Sequence, residues 1–155
     1  MPRDTPVAQY MTTDVLSFSP GDNVQEAMLA MVDRGVDGAP VVDDGGAVVG
    51  MLTTGDLIVQ ESKLHFPTVL SFLGATLERP SEKKQFDEDI RRALGATVGE
   101  VMTEEPHTIK EDDTLEAAAT VMHDENVSRL PVVRGGLLVG IIARSDIVRA
   151  IVTDP

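Results

Sequence analysis

The chain has 155 residues, 42% of them hydrophobic but only 3% aromatic, with no cysteine and a formal net charge of −13. The lack of cysteine excludes disulfides and thiolate metal sites and fits a reducing cytoplasm. The acidity, which a salt-adapted host would also explain, opposes broad affinity for nucleic acid or an anionic membrane. No apolar run approaches the roughly 20 residues of a membrane span, and the N-terminus lacks a signal-peptide core, so a cytoplasmic protein is expected.

The first predicted element is a short helical lead-in, with Val7 and Met11 one turn apart, followed by an extended stretch from Val15 to Ser19. Asp22-x-x-Gln25 then reads as an N-cap with its reciprocal partner. It opens a helix on which Val24, Ala27, Met28, Met31 and Val32 recur at helical spacing. Gly35 is its stop signal, since glycine tolerates the left-handed conformation that ends helices. Pro40-Val41-Val42 reads as a strand, Asp43 to Gly46 as a turn, Val48 to Leu52 as a second strand, and a second helix opens near Thr54.

Residues 61–95 form an insertion. Its stretch from Phe66 to Gly74 is too apolar for a solvated linker, and Ser81 to Leu94 reads as an amphipathic helix carrying Phe86, Ile90, Ala93 and Leu94 on one side. It is expected to pack against the rest of the chain or a second copy.

From there the chain repeats itself. Val7 to Thr12 returns as Val98 to Thr103 and, at the same offset, Asp22 as Asp113, Ala27 as Ala118, Met31 as Met122 and Pro40-Val-Val42 as Pro131-Val-Val133. One residue drops out of the Gly-Gly turn, and Gly50 to Asp56 reappears as Gly140 to Asp146. Thr97 and Glu100 have capping-box spacing, His107 to Lys110 is the extended stretch, and Asp113-x-x-Glu116 starts the helix. Asn126 stands where Gly35 stood, and the second helix opens at Arg144. Each unit therefore reads strand, helix, strand, strand, helix. A duplicated module too small to be stable alone implies two copies that need each other, with function lodged between them.

Asp56 and Asp146 stand just inside a helix N-terminus after an apolar strand. Thr53-x-x-Asp56 is equally a capping box, and Asp146 equally an acid favoured by the helix dipole. The functional alternative is that such a carboxylate accepts two hydrogen bonds from a cis-diol, while the free N–H groups beside it favour an anion such as phosphate. Thr53 and Thr54 would add hydroxyl donors in one site, and Arg144 and Ser145 in the other. Before the Pro-Val-Val strands the copies differ. The first has Val36-Asp37-Gly38-Ala39, the second Val127-Ser128-Arg129-Leu130. Arg129 brings a guanidinium fork suited to phosphate or, equally, to a salt bridge. His65, His107 and His123 show no ligand spacing, and no Walker-type loop or nucleophile–base set is present. An enzyme is not expected.

Val-x-x-x-Met-Thr, the Asp-led helix ending in Met, the Pro-Val-Val strand and Gly-apolar-apolar-x-x-x-Asp, with Thr after the apolar pair in the first copy, are found twice in one order and together resemble the CBS domain, named after cystathionine beta-synthase. The resemblance implies an α/β (α+β) fold of two tandem β-α-β-β-α modules, residues 5–60 and 96–151, related by pseudo-two-fold symmetry, with residues 61–95 as a helical connector. It is similar to the stand-alone bacterial type. It further implies a homodimer that binds AMP, ADP, ATP or S-adenosylmethionine as a regulatory signal without chemistry, needs no cofactor and acts on an effector protein. On that basis Asp56 and Asp146 hold ribose and Thr53 lies near phosphate, with Ala143 departing from the pattern in the second copy, where Arg144 or Ser145 substitutes. Arg129 grips phosphate. Asp22 to Ala27 serves the Asp146 cleft, and Asp113 to Ala118 the Asp56 cleft. The alternative is an interaction scaffold with degenerate clefts.

Overall fold

The structure, a computed structural model, describes residues 3–55 and 96–154. It is a mixed α and β protein with two three-stranded sheets among the described residues. The whole insertion, residues 61–95, lies outside the described residues, and with it the expectations for Phe66 to Gly74 and Ser81 to Leu94, as does Asp56.

In chain order the elements are a 3-10 turn (Val7–Gln9), α1 (Val24–Arg34), β1 (Gly38–Val42), β2 (Val48–Thr53), α2 (Val98–Val101), β3 (Thr103–Glu104), β4 (Ile109–Lys110), α3 (Leu115–Asp124), β5 (Arg129–Arg134), β6 (Leu137–Ala143) and α4 (Arg144–Thr153). Two compact units divide them. Among the described residues one comprises 3–16, 42–49 and 105–154, the other 17–41, 50–55 and 96–104. Each unit thus draws on both repeats.

The reason is an exchange of the lead-in segments. In the first unit, Thr12 pairs with Ile141 through Thr12 N–H to the Ile141 carbonyl and Ile141 N–H to the Thr12 carbonyl, both at 2.9 Å. Val7 N–H donates to the Asp113 carbonyl at 2.8 Å and Leu115 N–H to that of Thr5 at 2.9 Å. The second unit repeats the pattern. β3 pairs antiparallel with β2 (Met51 opposite Thr103), Val98 N–H donates to the Asp22 carbonyl at 2.8 Å and Val24 N–H to the Ala96 carbonyl at 3.1 Å. A lead-in therefore joins the strand and helix of the other repeat. Glycine leaves room for the methionine where it crosses. A Cβ on Gly140 would stand 2.6 Å from the Met11 sulfur and 3.0 Å from the Thr12 carbonyl, and one on Gly50 would collide with the Met102 sulfur.

Both interiors are built from equivalent positions. Val7, Ile109, Leu115, Ala118, Met122, Leu130, Val132 and Ile142 are buried in the first unit. Val98, Phe18, Val24, Ala27, Met31, Ala39, Val41 and Leu52 are buried in the second. Within each sheet a short parallel strand flanks the hairpin: β4 lies parallel to β5, and Phe18 forms a single parallel bridge to Val41. The extended stretches are thus shorter than the sequence suggests.

The stop signals behave as their chemistry demands, Gly35 at φ 67° and Asn126 at φ 53° both being left-handed. The hairpin turns follow suit, with Gly135 and Gly136 both at positive φ, and with the Asp43 carboxylate accepting from Gly45 N–H and Ala47 N–H. The N-caps, however, fall one residue later than expected. Asn23 caps α1 by accepting from Glu26 N–H at 3.1 Å, and Thr114 caps α3 by accepting from Ala117 N–H at 3.1 Å. Asp22 and Asp113 instead close the preceding turn, accepting from Ser19 N–H and Lys110 N–H. Thr97 makes no side-chain cap, because Glu100 N–H already donates to the Thr97 carbonyl.

Candidate functional site

In the first unit the start of β5, the end of β6 and the start of α4 converge. Arg129 is paired across the ladder with Ala143, and the Ser128 carbonyl accepts Arg144 N–H at 3.0 Å. This bond seats the first turn of α4 beside the β5 mouth, bringing Ser128, Arg129, Arg144, Ser145 and Asp146 together. Arg144 and Ser145 are exposed, Arg129 is half-buried and engaged with its surroundings.

Asp146 is 9% exposed, the one charged residue among the described ones that is buried. Its Oδ2 accepts Ala143 N–H at 2.8 Å, and its Oδ1 accepts from Arg149 Nη2 at 3.2 Å. Alanine has no acceptor to return, so only half of a capping box exists here. The bland role foreseen for Asp146, an acid at the helix start, is therefore real. It does not use up the carboxylate, whose two oxygens offer about four acceptor positions. Sequence reasoning missed Arg149, although Asp146-x-x-Arg149 is an i, i+3 spacing that places both side chains on one helix face.

The second unit repeats the seat but not the chemistry. The Asp37 carbonyl accepts Thr54 N–H at 2.9 Å, as that of Ser128 accepts Arg144 N–H. Gly38 is buried at the start of β1, Thr53 and Thr54 are half-buried, and Asp37 is exposed. Thr54 and Gly55 begin a helical turn.

Ala27 and Ala118 turn their methyls into the two interiors, at 2% and 0% exposure, so neither side chain is available to a ligand. Asp22 and Asp113 spend one carboxylate oxygen each on the pre-helix turn.

A separate concavity of about 400 Å³ lies between α3 and α4, with Leu115, Ala119, Ile147 and Ile151 as apolar walls and Arg3, Glu116 and His123 among its polar ones. Of the segments predicted to serve a site it touches only Asp113 to Ala118, through Leu115 and Glu116. Away from both places, the Glu111 carboxylate, paired with Arg134 at 2.8 Å, raises the Arg134 guanidinium above its ordinary value. Among the described residues no group of three or more His, Asp or Glu is arranged to hold a metal ion, and no helix is long and apolar enough to cross a membrane.

Comparison with known proteins gives a consistent picture. The profile of the CBS domain family matches residues 7–62 and 98–153. Protein MJ1426 of Methanocaldococcus jannaschii is 32% identical over 94% of this chain and 90% of its own length. The chloroplastic CBS domain-containing protein CBSX1 of Arabidopsis thaliana is 33% identical over 93% of this chain, which spans 63% of that protein. Among solved structures, CBSX2 in complex with AMP superposes with a TM-score of 0.70 at 27% identity, covering 96% of each chain. Protein MJ1225 of Methanocaldococcus jannaschii superposes with a TM-score of 0.75 at 25% identity, covering 96% of this chain and 48% of that one.

Proposed function

Since this chain belongs to the CBS domain family and carries two such domains, we propose that it is a regulatory module that senses an adenosine nucleotide, AMP foremost, without transforming it. The observation that carries the reading is the buried Asp146 carboxylate at the start of α4, with acceptor capacity left over and Arg129, Arg144 and Ser145 around it. Its resemblance to the AMP-bound CBSX2 supports the same ligand class. In this reading Asp146 accepts the ribose hydroxyls, and the α4 N-terminus with Arg129, Arg144 and Ser145 receives phosphate. The first repeat offers Asp56 with Thr53 and Thr54 but no arginine at Gly38, so its ligand is nucleoside-like or absent. Binding shifts the balance between arrangements only as far as the ligand prefers one of them.

A thermal-shift titration tests this directly. AMP should raise the melting temperature in a concentration-dependent way, by an amount corresponding to about 2.7 kcal/mol at one hundred times Kd. Silence of AMP, ADP, ATP, adenosine and S-adenosylmethionine at millimolar concentration would defeat it. The scaffold alternative would then lead, favoured by Ala143, which lacks a hydroxyl, and by the existing partners of Asp146.

A homodimer belongs to the same reading. Leu29 and Val32 on α1 and Val148, Ile151 and Val152 on α4 are large apolar side chains left exposed, as surfaces awaiting a partner are. Light scattering should return twice the 16.6 kDa chain mass; a monomer at micromolar concentration would remove this part.

A further inference from the structure

Arg149 stands outside every motif the repeats share in sequence, yet it holds three groups at once. One guanidinium nitrogen, Nη2, lies 3.2 Å from Asp146 Oδ1 and 3.1 Å from the backbone carbonyl of Tyr10, at the opposite end of the chain. The guanidinium also sits over the Tyr10 ring, 5.9 Å from its centroid, within cation–π range. Tyr10 ends the 3-10 turn of the lead-in, and the next two residues are the ones that cross β6, Met11 against Gly140 and Thr12 paired with Ile141.

We propose that Arg149 is a positioning residue that aims the Asp146 carboxylate for a ribose diol and ties it to the lead-in at Tyr10, so that the diol is felt at Thr12. The proposal rests on the reading of Asp146 given above. Ala143 N–H holds one oxygen and Arg149 the other, which sets the rotation of the carboxylate plane and leaves one outward position on each oxygen. A cis-diol donates two hydrogen bonds with such spacing. When it does, it fixes the carboxylate against the Arg149 fork, and the guanidinium is held in turn against the Tyr10 carbonyl and ring. The lead-in is then held more tightly. By linkage, a loosened lead-in weakens the diol to the same extent.

The test uses the full chain as wild type, Arg149→Met, which keeps the stem and loses the fork, and Arg149→Lys, which reaches one acceptor. AMP and 2′,3′-dideoxyAMP are titrated by calorimetry, and exchange of the Thr12 and Ile141 amides is followed with and without AMP. Arg149→Met should weaken AMP about tenfold, as loss of one oriented charged hydrogen bond does, while 2′,3′-dideoxyAMP changes less than about twofold. Thr12 should exchange faster than in wild type and lose its slowing by AMP, and Arg149→Lys should restore part of both. Equal losses for the two nucleotides, or Thr12 exchange unmoved by Arg149→Met, overturns the positioning role even where AMP binds. If wild type binds neither nucleotide, the nucleotide-sensing reading is what fails, the link to the diol falls with it, and Thr12 exchange in the free protein still decides whether Arg149 holds the lead-in.

Discussion

Asp146→Asn is expected to weaken AMP binding by about 2–3 kcal/mol, roughly 30- to 150-fold, because hydrogen bonds to a charged acceptor are worth about twice those to a neutral one. Asparagine is the informative replacement. Its single oxygen can still accept Ala143 N–H, so the start of α4 is kept, whereas its NH2 would face the Arg149 guanidinium as donor against donor. The cost in stability is therefore small. Arg149 is 57% exposed, and a pair so open to solvent contributes about 0.2–1 kcal/mol. Calorimetric titration with a parallel melt separates the two effects. An AMP affinity equal to wild type would remove Asp146 as the diol acceptor, and the same titration on Asp56→Asn would show whether the first repeat carries the ligand instead.

The largest stability effect should come from Leu130→Ala. Leu130 is fully buried in β5, within the cluster that includes Val7, Leu115, Met122 and Ile142. Truncation there removes apolar contact and leaves a void in a close-packed interior, at about 2–5 kcal/mol. For a chain of this length that is a drop in melting temperature on the order of 5–15 °C. The equivalent position of the other unit is Ala39, itself 1% exposed, so the two interiors are filled differently around one backbone plan. A melt within about 1 °C of wild type would mean that the cluster collapses around the void, which the six-pair ladder holding β5 to β6 argues against.

Much of the fold was legible because its signals are local. Gly35 and Asn126 announce helix ends through the one conformation they tolerate best, and Gly135-Gly136 announces a hairpin through two positive φ angles. The caps were misplaced by one residue because Asp22-Asn23 and Asp113-Thr114 each put two good capping residues side by side. Composition does not choose between them; the turn closed by the aspartate does. The exchange of lead-ins was scarcely legible. Pairing of Thr12 with Ile141 links residues at opposite ends of the chain, and no periodicity reports it. Its one trace was glycine at both Gly50 and Gly140, each inside an apolar strand, where a side chain would strike the crossing methionine. At the site, Asp146, Arg144, Ser145, Arg129 and Ser128 were foreseen and are brought together, whereas Ala27 and Ala118 are interior residues. Arg149 was missed because its second partner, the Tyr10 carbonyl, is a backbone group that carries no sequence signature.

The traded lead-ins bear on how such a chain could have arisen. A gene encoding one repeat would make a polypeptide whose own lead-in belongs on its neighbour's hairpin, so two molecules would have to swap arms to complete either interior. Such an ancestor would fold only as a pair, with stability that depends on concentration. Duplication and fusion would turn that bimolecular trade into an internal one. The surviving mark is a chain that cannot be cut into its two repeats without leaving each half short of the strand that closes it.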